Sequence, residues 1–459
     1  MLPRSLPIRA ASLALCLASC ATYTQRTEVA MAHFEAGELE QARAEFEDPA
    51  TTGSDFLGAA ESGTVALVQG DWTGARERLE SAAALVRELE DRALVSAGEL
   101  GESLISFAIN DTVKTYEGEG YERVMLHVLL AMTYLAEGHA EGAWVEAKRA
   151  NRLLESEETL YEKRYAAGGM GHYLSAVAYE LVGEPGEAYI DYKRMQEKGV
   201  GLDLAGRALV RLGTQLGRED ELPLWTERFG PDVERPQGAA SVVLLAGLGV
   251  GPYKVESGFS IPLPQGVVQW AVPSFVRRPQ PITALELVEL RTGTRVGSAL
   301  VEDLGQVAQE NLDDRIAWLA AKSAVRAALK FTLTRELQKE HGAVGWIAGA
   351  LFTVATERAD LRSWLTLPDA WHGARMFLAP GEHELAVQAV GGERVALGTY
   401  AFEPGETMIV LVRAIGRRLH VQPLGGRRIE PGDPGAVLAS GADHGSQELP
   451  SEPPADPRP

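Results

Sequence analysis

Residues 107–135 concentrate side chains that could carry out acid–base chemistry. The stretch FAINDTVKTYEGEGYERVMLHVLLAMTYL contains Asp111, Glu119, Glu122, Arg123 and His127. Arg123 and His127 are one helical turn apart, and Glu122 adjoins Arg123. A carboxylate beside an imidazole can act as a general base. This stretch is therefore the first candidate for an active site, with Glu122 and His127 as the reacting pair.

The same cluster also has a structural interpretation. Residues 121–135 have the apolar spacing of an amphipathic helix. On the helix that follows, Glu146 and Arg149 are obvious ion-pair partners for Glu122 or Arg123. We favour structural ion pairing over catalysis for these residues.

Signatures of other catalytic chemistries do not occur in the sequence. The nine histidines include no HExxH pattern and no pair spaced by four residues, so a zinc hydrolase lacks its ligands. There is no GxSxG elbow and no GxxxxGK[ST] loop. Gly247, Gly249 and Gly251 have the wrong spacing for dinucleotide binding, and Pro252 follows them. The sequence thus predicts no catalytic residue, no cofactor site and no metal site.

Asp360, Arg362 and Trp364 form a second polar cluster, shortly before Pro368. An acid and an arginine beside an indole could bind a polar ligand such as a sugar. They could equally lock a helical segment onto a β-sandwich, with Trp364 buried and Asp360 paired with Arg362. We favour this structural role.

The N-terminus has the features of a targeting segment. Residues 1–19 combine a basic start with an apolar run that is too short to span a bilayer. The run leads into Leu17-Ala18-Ser19-Cys20, which resembles the lipobox of bacterial lipoproteins. The resemblance implies cleavage before Cys20 and acylation of Cys20, and several acyl chains on one residue anchor a protein almost irreversibly. Ala21 follows where Asp would retain the protein in the inner membrane, which implies the outer membrane.

Composition narrows the possible chemistry and partners. The two cysteines are Cys16 and Cys20, so a mature chain that begins at acylated Cys20 has no free thiol, disulfide or cysteine-based metal site. The formal net charge is −20, and loss of Arg4 and Arg9 with the leader makes it −22. Nucleic acid and anionic membrane surfaces attract basic faces. We therefore expect no nucleic-acid partner.

One spacing recurs four times in the first half: a small residue, a glycine seven later, an alanine after five more, and a further residue after four. The units are Ala30-Gly37-Ala42-Phe46, Gly63-Gly70-Ala75-Leu79, Ala131-Gly138-Ala143-Ala147 and Ala176-Gly183-Ala188-Tyr192. Small residues let two antiparallel helices approach closely, and glycine ends the first of them. The spacing resembles the tetratricopeptide repeat. It predicts a helical repeat domain over residues 20–228 that stacks into a curved solenoid.

The concave face of such a solenoid is formed by the first helix of each unit. In this sequence the face would carry Met125, Val128, Met132, Tyr173 and Val177. It lacks the Lys/Asn/Arg set that clamps a terminal carboxylate in chaperone-binding repeats. Such a groove would suit a hydrophobic segment of a partner or this protein's own second half, and a plain core role also fits.

Beyond a Pro- and Gly-rich linker at residues 229–241 the periodicity changes. Residues 242–430 predict an α+β domain. Strand, Pro-Gly turn and strand occur twice in succession, which predicts a small antiparallel β-sandwich at about 374–423. The predicted fold class is multidomain α+β, with a tetratricopeptide-like solenoid followed by this α+β domain.

Two further segments of the second half have a distinct composition. Residues 302–358 have helical spacing, and within them 342–355 are apolar all round but too short to cross a membrane. Residues 431–459 are acidic and Pro-rich without periodicity, which predicts a disordered tail.

Three stretches together resemble a family of bacterial lipoproteins with tetratricopeptide-like N-terminal repeats and a C-terminal domain that carries the motif ADLRSWLTLP. They are NDTVKTYEGEGYERVMLHVLLAMTYLAEGHAEGAWVEAKRAN, RAALK and ERADLRSWLTLP. Members of this family are often encoded near a lipoprotein activator of peptidoglycan synthases, so the resemblance implies work in the cell envelope. It supplies no catalytic residues to carry over.

These features predict a non-catalytic, lipid-anchored adaptor or scaffold that faces the periplasm and binds another envelope protein. One alternative is a protein that binds or hydrolyses glycan or peptidoglycan with Glu122 and His127, or with Asp360. Another is a component of lipid or polysaccharide export in which residues 342–355 contact the membrane.

Overall fold

The computed structural model describes residues 21–96, 115–161, 166–233, 235–263, 266–314 and 359–429. Several predictions lie outside these residues. They concern the leader 1–19 with Cys20, the side chain of Asp111, the apolar stretch 342–355 and the tail 431–459.

The first half of the described chain is helical. Its helices are α1 (Tyr23–Arg26), α2 (Glu28–Ala36), α3 (Leu39–Glu47), α4 (Pro49–Thr52), α5 (Asp55–Gln69), α6 (Trp72–Ser96), α7 (Gly120–Ala136), α8 (Ala140–Tyr161), α9 (Gly169–Leu181), α10 (Pro185–Lys198), α11 (Leu202–Leu216) and α12 (Leu222–Phe229). In the second half, residues 304–314 are also helical. None of the helices within the described ranges is both long and apolar enough to cross a membrane.

The repeated spacing of the sequence marks helical hairpins. Gly37, Gly70, Gly138 and Gly183 lie just past the ends of α2, α5, α7 and α9, with φ angles of 78°, 79°, 80° and 79°. Glycine adopts this left-handed backbone without a steric penalty, and it commonly ends helices in this way. The next helix begins within three residues and packs against the previous one. The predicted hairpins are therefore confirmed in all four units.

The second half is built of strands. They are β1 (Ala240–Leu248), β2 (Tyr253–Leu263), β3 (Gly266–Val276), β4 (Leu285–Glu289), β5 (Arg295–Gly297), β6 (Ala299–Glu302), β7 (Ala370–Leu378), β8 (Gly381–Ala389), β9 (Arg394–Phe402), β10 (Thr407–Ile415), β11 (Arg418–Leu424) and β12 (Arg427–Ile429). The first sheet has the order β11-β10-β1-β7-β6, and the second has the order β12-β9-β8-β4-β5. β2 and β3 form a separate two-stranded ribbon.

The two five-stranded sheets form a sandwich that is larger than the sequence predicted. Both Pro-Gly turns join the expected strands, but β1 and β4–β6 also belong to the sandwich, so the range 374–423 is too narrow. The sandwich is not purely antiparallel, because β1 pairs with β10 in parallel from Ser241↔Thr407 to Leu248↔Ala414. Parallel strands need a long connection between them, and local sequence patterns do not report such pairings.

The first sheet is buried on both faces. Along β1, Val242 and Leu244 face the second sheet, whereas Val243 and Leu245 pack in the same core as the helices. The class α+β is thus confirmed, with a helical N-terminal part and sheets in the C-terminal part. The segment 229–241 marks the change from helices to strands, but the two parts share one core.

Candidate functional site

The segment that carries Trp364 lies between the helices and the first sheet and is held through its backbone. Glu61 in α5 accepts hydrogen bonds from the N–H groups of Leu365 (2.7 Å) and Thr366 (2.9 Å). Glu122 in the first turn of α7 accepts a hydrogen bond from the N–H of Trp364 (2.7 Å). Two carboxylates therefore bind three consecutive peptide groups. We call these five residues the carboxylate junction.

Glu122 is buried, and its oxygens are fully used by donors. Besides Trp364, its partners are the hydroxyls of Tyr116 (2.6 Å) and Tyr121 (3.2 Å) and the N–H of Glu119 (2.9 Å). A carboxylate has about four acceptor positions, and four donors occupy them here. In this arrangement Glu122 has no oxygen free to take a proton from a substrate.

Glu61 is equally buried and links the beginning of the described chain to the junction. The Tyr23 hydroxyl donates to Glu61 at 3.0 Å. Burial raises the pKa of the Glu61 carboxyl to about 7, although its hydrogen bonds act in the opposite direction. Burial also raises the pKa of Glu122, while the nearby positive charge of Lys254 lowers it. The junction therefore holds two acids that are costly to ionise.

Lys254 on β2 is a third buried charge at this place. Its ammonium pairs with Glu119, the residue that precedes α7, and it lies 5.7 Å from the ring centroid of Phe275. Burial lowers the pKa of Lys254, while the charge of Glu122 raises it. The ion pair fixes the base of the β2–β3 ribbon to the helices.

Trp364 fills the space beside the two carboxylates. Its indole Nε1 donates to Thr64 Oγ1 at 3.1 Å, and its ring meets Phe56 edge-on with centroids 6.2 Å apart. Asp360 pairs with Arg362 at 2.6 Å. The burial of Trp364 and this ion pair match the structural interpretation of the cluster, and the indole face is not available to a sugar. The Trp364 side chain contacts Phe56 and Thr64 of α5, and most of the helical segment 302–358 in the structural hypothesis lies outside the described residues.

His127 does not share a partner with the carboxylate proposed for catalysis. Its Nδ1 lies 2.6 Å from Glu146, which also binds Arg149 at 2.5 Å. Arg123 donates to Glu157 at 2.8 Å. The structure therefore places the two members of the proposed catalytic pair in different environments. Arg123 and His127 thus contact carboxylates of α8, although the partner of Arg123 is Glu157 and not the expected Glu146.

The predicted apolar groove is filled by the protein itself. Its five residues, Met125, Val128, Met132, Tyr173 and Val177, are all buried. The indole Nε1 of Trp371 lies 3.3 Å from the Met125 sulfur, and the Tyr173 hydroxyl donates to the carbonyl of Ala374 at 3.4 Å. Of the alternatives that the sequence left open, the second half of the chain is what covers these side chains. They are not accessible to a partner in this structure.

Two carboxylates at the boundary were missed by the sequence analysis. Glu302 at the end of β6 accepts hydrogen bonds from the N–H groups of Gly168 (2.9 Å) and Met170 (3.0 Å), where α9 begins. Glu61 carried a usable signal, because it is the single charged residue between Asp55 and Asp71 and lies in an apolar helix. Glu302 stands in the ordinary polar context ALVEDLG and offers no such signal.

The described residues form a small cavity at the boundary. One cavity of about 20 Å³ lies beside Tyr121, Met125 and Glu302. Sites for small molecules usually exceed about 300 Å³. Within the described ranges, no group of three or more His, Cys, Asp or Glu residues could hold a metal ion. The arrangement is that of an attachment site between two parts of one chain.

Comparisons with known proteins found little similarity. No family model matches the chain, and a search of curated proteins found no match. Among solved structures, the crystal structure of a MamA protein is similar over 45% of this chain and 88% of that chain. The identity is 14% and the TM-score is 0.31, which carries no argument about fold or function.

Proposed function

We propose that this protein is a lipid-anchored adaptor of the outer membrane that faces the periplasm and binds another envelope protein. The position of Tyr23 carries the proposal. This side chain is 2% exposed and bonded to Glu61, only three residues after Cys20. Three residues reach at most about 11 Å. An acylated Cys20 would therefore hold the folded body directly against the membrane, as suits a protein that positions a partner there.

The helical hairpins support a tetratricopeptide-like solenoid, an architecture that commonly binds other proteins. Because the inner face is filled by the second half of the chain, a partner has to use the outer surface. The hairpin α9–α10 exposes Leu181, Val182 and Ile190, which are 37%, 39% and 43% exposed. A contiguous exposed apolar surface is typical of a protein-binding site, and these three side chains come from one helical hairpin. We assign partner binding to this set, the α9–α10 patch.

The anchor is tested by Cys20→Ala. We expect the acylated wild type in the membrane fraction and the variant in the soluble fraction, because no other anchor is part of the proposal. Acylation is measured by metabolic labelling with a palmitate analogue. A wild-type chain without label, or a variant that stays in the membrane, would contradict the lipid anchor.

The α9–α10 patch is tested by the double variant Val182→Asp/Ile190→Asp, because two charges should disrupt an apolar contact. Val390→Asp is the control, since Val390 is 58% exposed and lies in the turn after β8, far from α9 and α10 in the sequence. We expect crosslinked partners, identified in cells by mass spectrometry, to fall at least about tenfold for the double variant, which corresponds to about 1.4 kcal/mol. Capture equal to that of the control would rule out this patch.

A further inference from the structure

Arg413 is a buried cation without a carboxylate partner in the part of the chain that the structure describes. It lies on β10 and is 6% exposed. Among the described residues its guanidinium donates hydrogen bonds to the backbone carbonyls of Gly247, Gly249, Thr366 and Ala414. It also lies 5.9 Å from the ring centroid of Phe34, a cation–π contact that carries no negative charge. Carbonyl dipoles solvate the guanidinium but do not neutralise its charge. Burial of a charge without an opposite charge is strongly unfavourable.

Two buried nitrogen atoms on the same face of the sheet have no hydrogen-bond partner among the described residues. They are Nε of Arg413 and Nε2 of His420. Arg413 on β10 and His420 on β11 are directly opposite each other in the strand register. Cross-strand neighbours of this kind have Cβ atoms about 5 Å apart. Because buried polar atoms are usually hydrogen-bonded, this pair of potential donors calls for an acceptor.

Arg413 and His420 line one cavity of about 20 Å³ between the helices and the first sheet. Its other walls come from α5, α7, the first sheet and Pro368. Most of these walls are apolar, and the polar side chains among them are those of Thr64 and Gln422. This volume suits one atom of about the size of water. It excludes a carboxylate ligand, a phosphate or a sugar.

The surroundings of the cavity are positive in a chain of net charge −20. Burial lowers the pKa of Arg413 to about 9, which leaves it charged at neutral pH. Burial and the charges of Arg413 and Arg418 lower the pKa of His420, while Glu393 acts in the opposite direction. A positive charge is therefore unfavourable at this place, and a small anion would offset it.

We propose that Arg413 and His420 bind one monovalent halide ion, chloride in the cell, in the cavity between the helices and the first sheet. Arg413 supplies the charge and its Nε–H, and His420 donates through Nε2 in the tautomer that carries the proton there. The ion neutralises the buried guanidinium, and it joins β10 and β11 to α5 and α7. This binding site is independent of the lipid anchor and of the partner surface.

The first test is thermal unfolding of the purified protein at constant ionic strength, with sodium chloride replaced stepwise by sodium gluconate. Gluconate is too large for the cavity, so only the halide should stabilise the fold by mass action. We expect the Tm in saturating chloride or bromide to exceed that in gluconate by about 2 °C.

His420→Leu should abolish the chloride response, because it removes one donor while leaving the guanidinium and its carbonyl contacts in place. His383→Leu is the control, since His383 lies on the second sheet with its Nε2 2.8 Å from the carbonyl of Ala379, and this variant should keep the full response. Equal Tm values in chloride and gluconate for the wild type, or an unchanged response in His420→Leu, would overturn the proposal.

A direct test is a crystal of the protein grown in bromide. We expect an anomalous peak beside Arg413 and His420 in the wild type and none in His420→Leu. Density without anomalous signal in the wild type would identify a water molecule and overturn the halide site.

Discussion

At Glu61 and Glu122 two carboxylates hold successive peptide groups in a place that water does not reach. A buried carboxylate without hydrogen-bond donors would be strongly destabilised there. The carboxylates and the backbone N–H groups of the segment that carries Trp364 therefore stabilise each other. Glu122 illustrates how residue type alone misleads. The acid next to Arg123 in a polar stretch suggests a general base, yet its four acceptor positions face tyrosine hydroxyls and peptide N–H groups.

Glu61 should make stability depend on pH. Its folded-state pKa of about 7 lies above the value of 4.5 for an unburied glutamate. The folded state therefore binds the proton more tightly, and stability is greatest below about pH 4.5 and falls as the pH rises through 7. The loss from this group amounts to about 3 kcal/mol at most. Urea unfolding between pH 4 and pH 8 measures it.

Glu61→Gln is the control for this pH dependence. Because the amide cannot ionise, the variant should not lose unfolding free energy between pH 4.5 and pH 7. One backbone N–H group will face the amide nitrogen instead of an acceptor, which lowers the stability of the variant at every pH by about 1–3 kcal/mol. If the unfolding free energies of the wild type and the variant change equally with pH, Glu61 is not the titrating group.

Glu122→Gln and His127→Ala separate a structural from a catalytic role. Glu122→Gln places an amide nitrogen among four donors, and we expect it to reduce the free energy of unfolding by about 2 kcal/mol. His127→Ala should cost about 1 kcal/mol, because it removes one hydrogen bond of Glu146 while the bond from Arg149 to Glu146 remains. Urea unfolding measures both changes. Two stably folded variants that each abolish function in cells would instead indicate a catalytic pair.

The four helical hairpins share one arrangement. The first helix ends at a glycine with a positive φ angle, and the second helix packs back on the first. Gly63 shows why small residues recur at the contact, because a Cβ there would lie 2.9 Å from the Leu79 side chain. The turn glycines have a different role. At Gly138 no atom lies within 4 Å of an added Cβ, so only the φ angle of 80° requires glycine.

Gly138→Ala therefore measures the cost of a positive φ angle at alanine without a steric clash of the added Cβ. We expect it to destabilise the fold by about 1–2 kcal/mol, because an alanine with positive φ brings Cβ close to a carbonyl oxygen. Gly186→Ala is the matched control, since its added Cβ also meets nothing within 4 Å but its helical backbone has no positive φ. The control should be neutral or slightly stabilising. Equal unfolding free energies for the two variants would show that the turn is not strained by alanine.

The described part of the molecule has three layers, with helices on one face of the first sheet and the second sheet on the other. The contact between helices and sheet is apolar and continuous, and the buried carboxylates Glu61, Glu122 and Glu302 cross it. Removal of either part would expose the face of the other. The two halves are therefore expected to depend on each other for stability.

We predict that the helices and the first sheet unfold in one transition. Trp364→Ala should lower the stability of both by about 3–5 kcal/mol, because the buried indole packs on α5 within the core that the helices share with the first sheet. Hydrogen exchange measures the effect in α5 and β1 separately. Trp144→Ala is the control, since Trp144 stacks on Tyr179 within the helical part. Faster exchange of α5 without any change in β1 would indicate two independent domains.

Local patterns predicted the elements of this protein well. Four glycines ended helices where the spacing indicated, and both Pro-Gly turns joined the predicted strands. These features depend on contacts between residues close in the chain, such as helix caps and turn sterics. The parallel pairing of β1 with β10 and the contact of Glu61 with Leu365, 304 residues apart, have no local signature.

The amino-acid sequence alone was enough to predict which segments are helices or strands and where many of them end. It also predicted that the face that includes Met125 and Tyr173 is apolar. Periodicity and turn chemistry act within a few residues, so they can be read from the chain directly. In contrast, the segment that covers that face and the groups that Glu122 binds depend on the tertiary structure. An apolar stripe specifies that it must be covered but not by which segment, and the hydrogen bonds of a buried carboxylate exist only after distant parts of the chain have packed together.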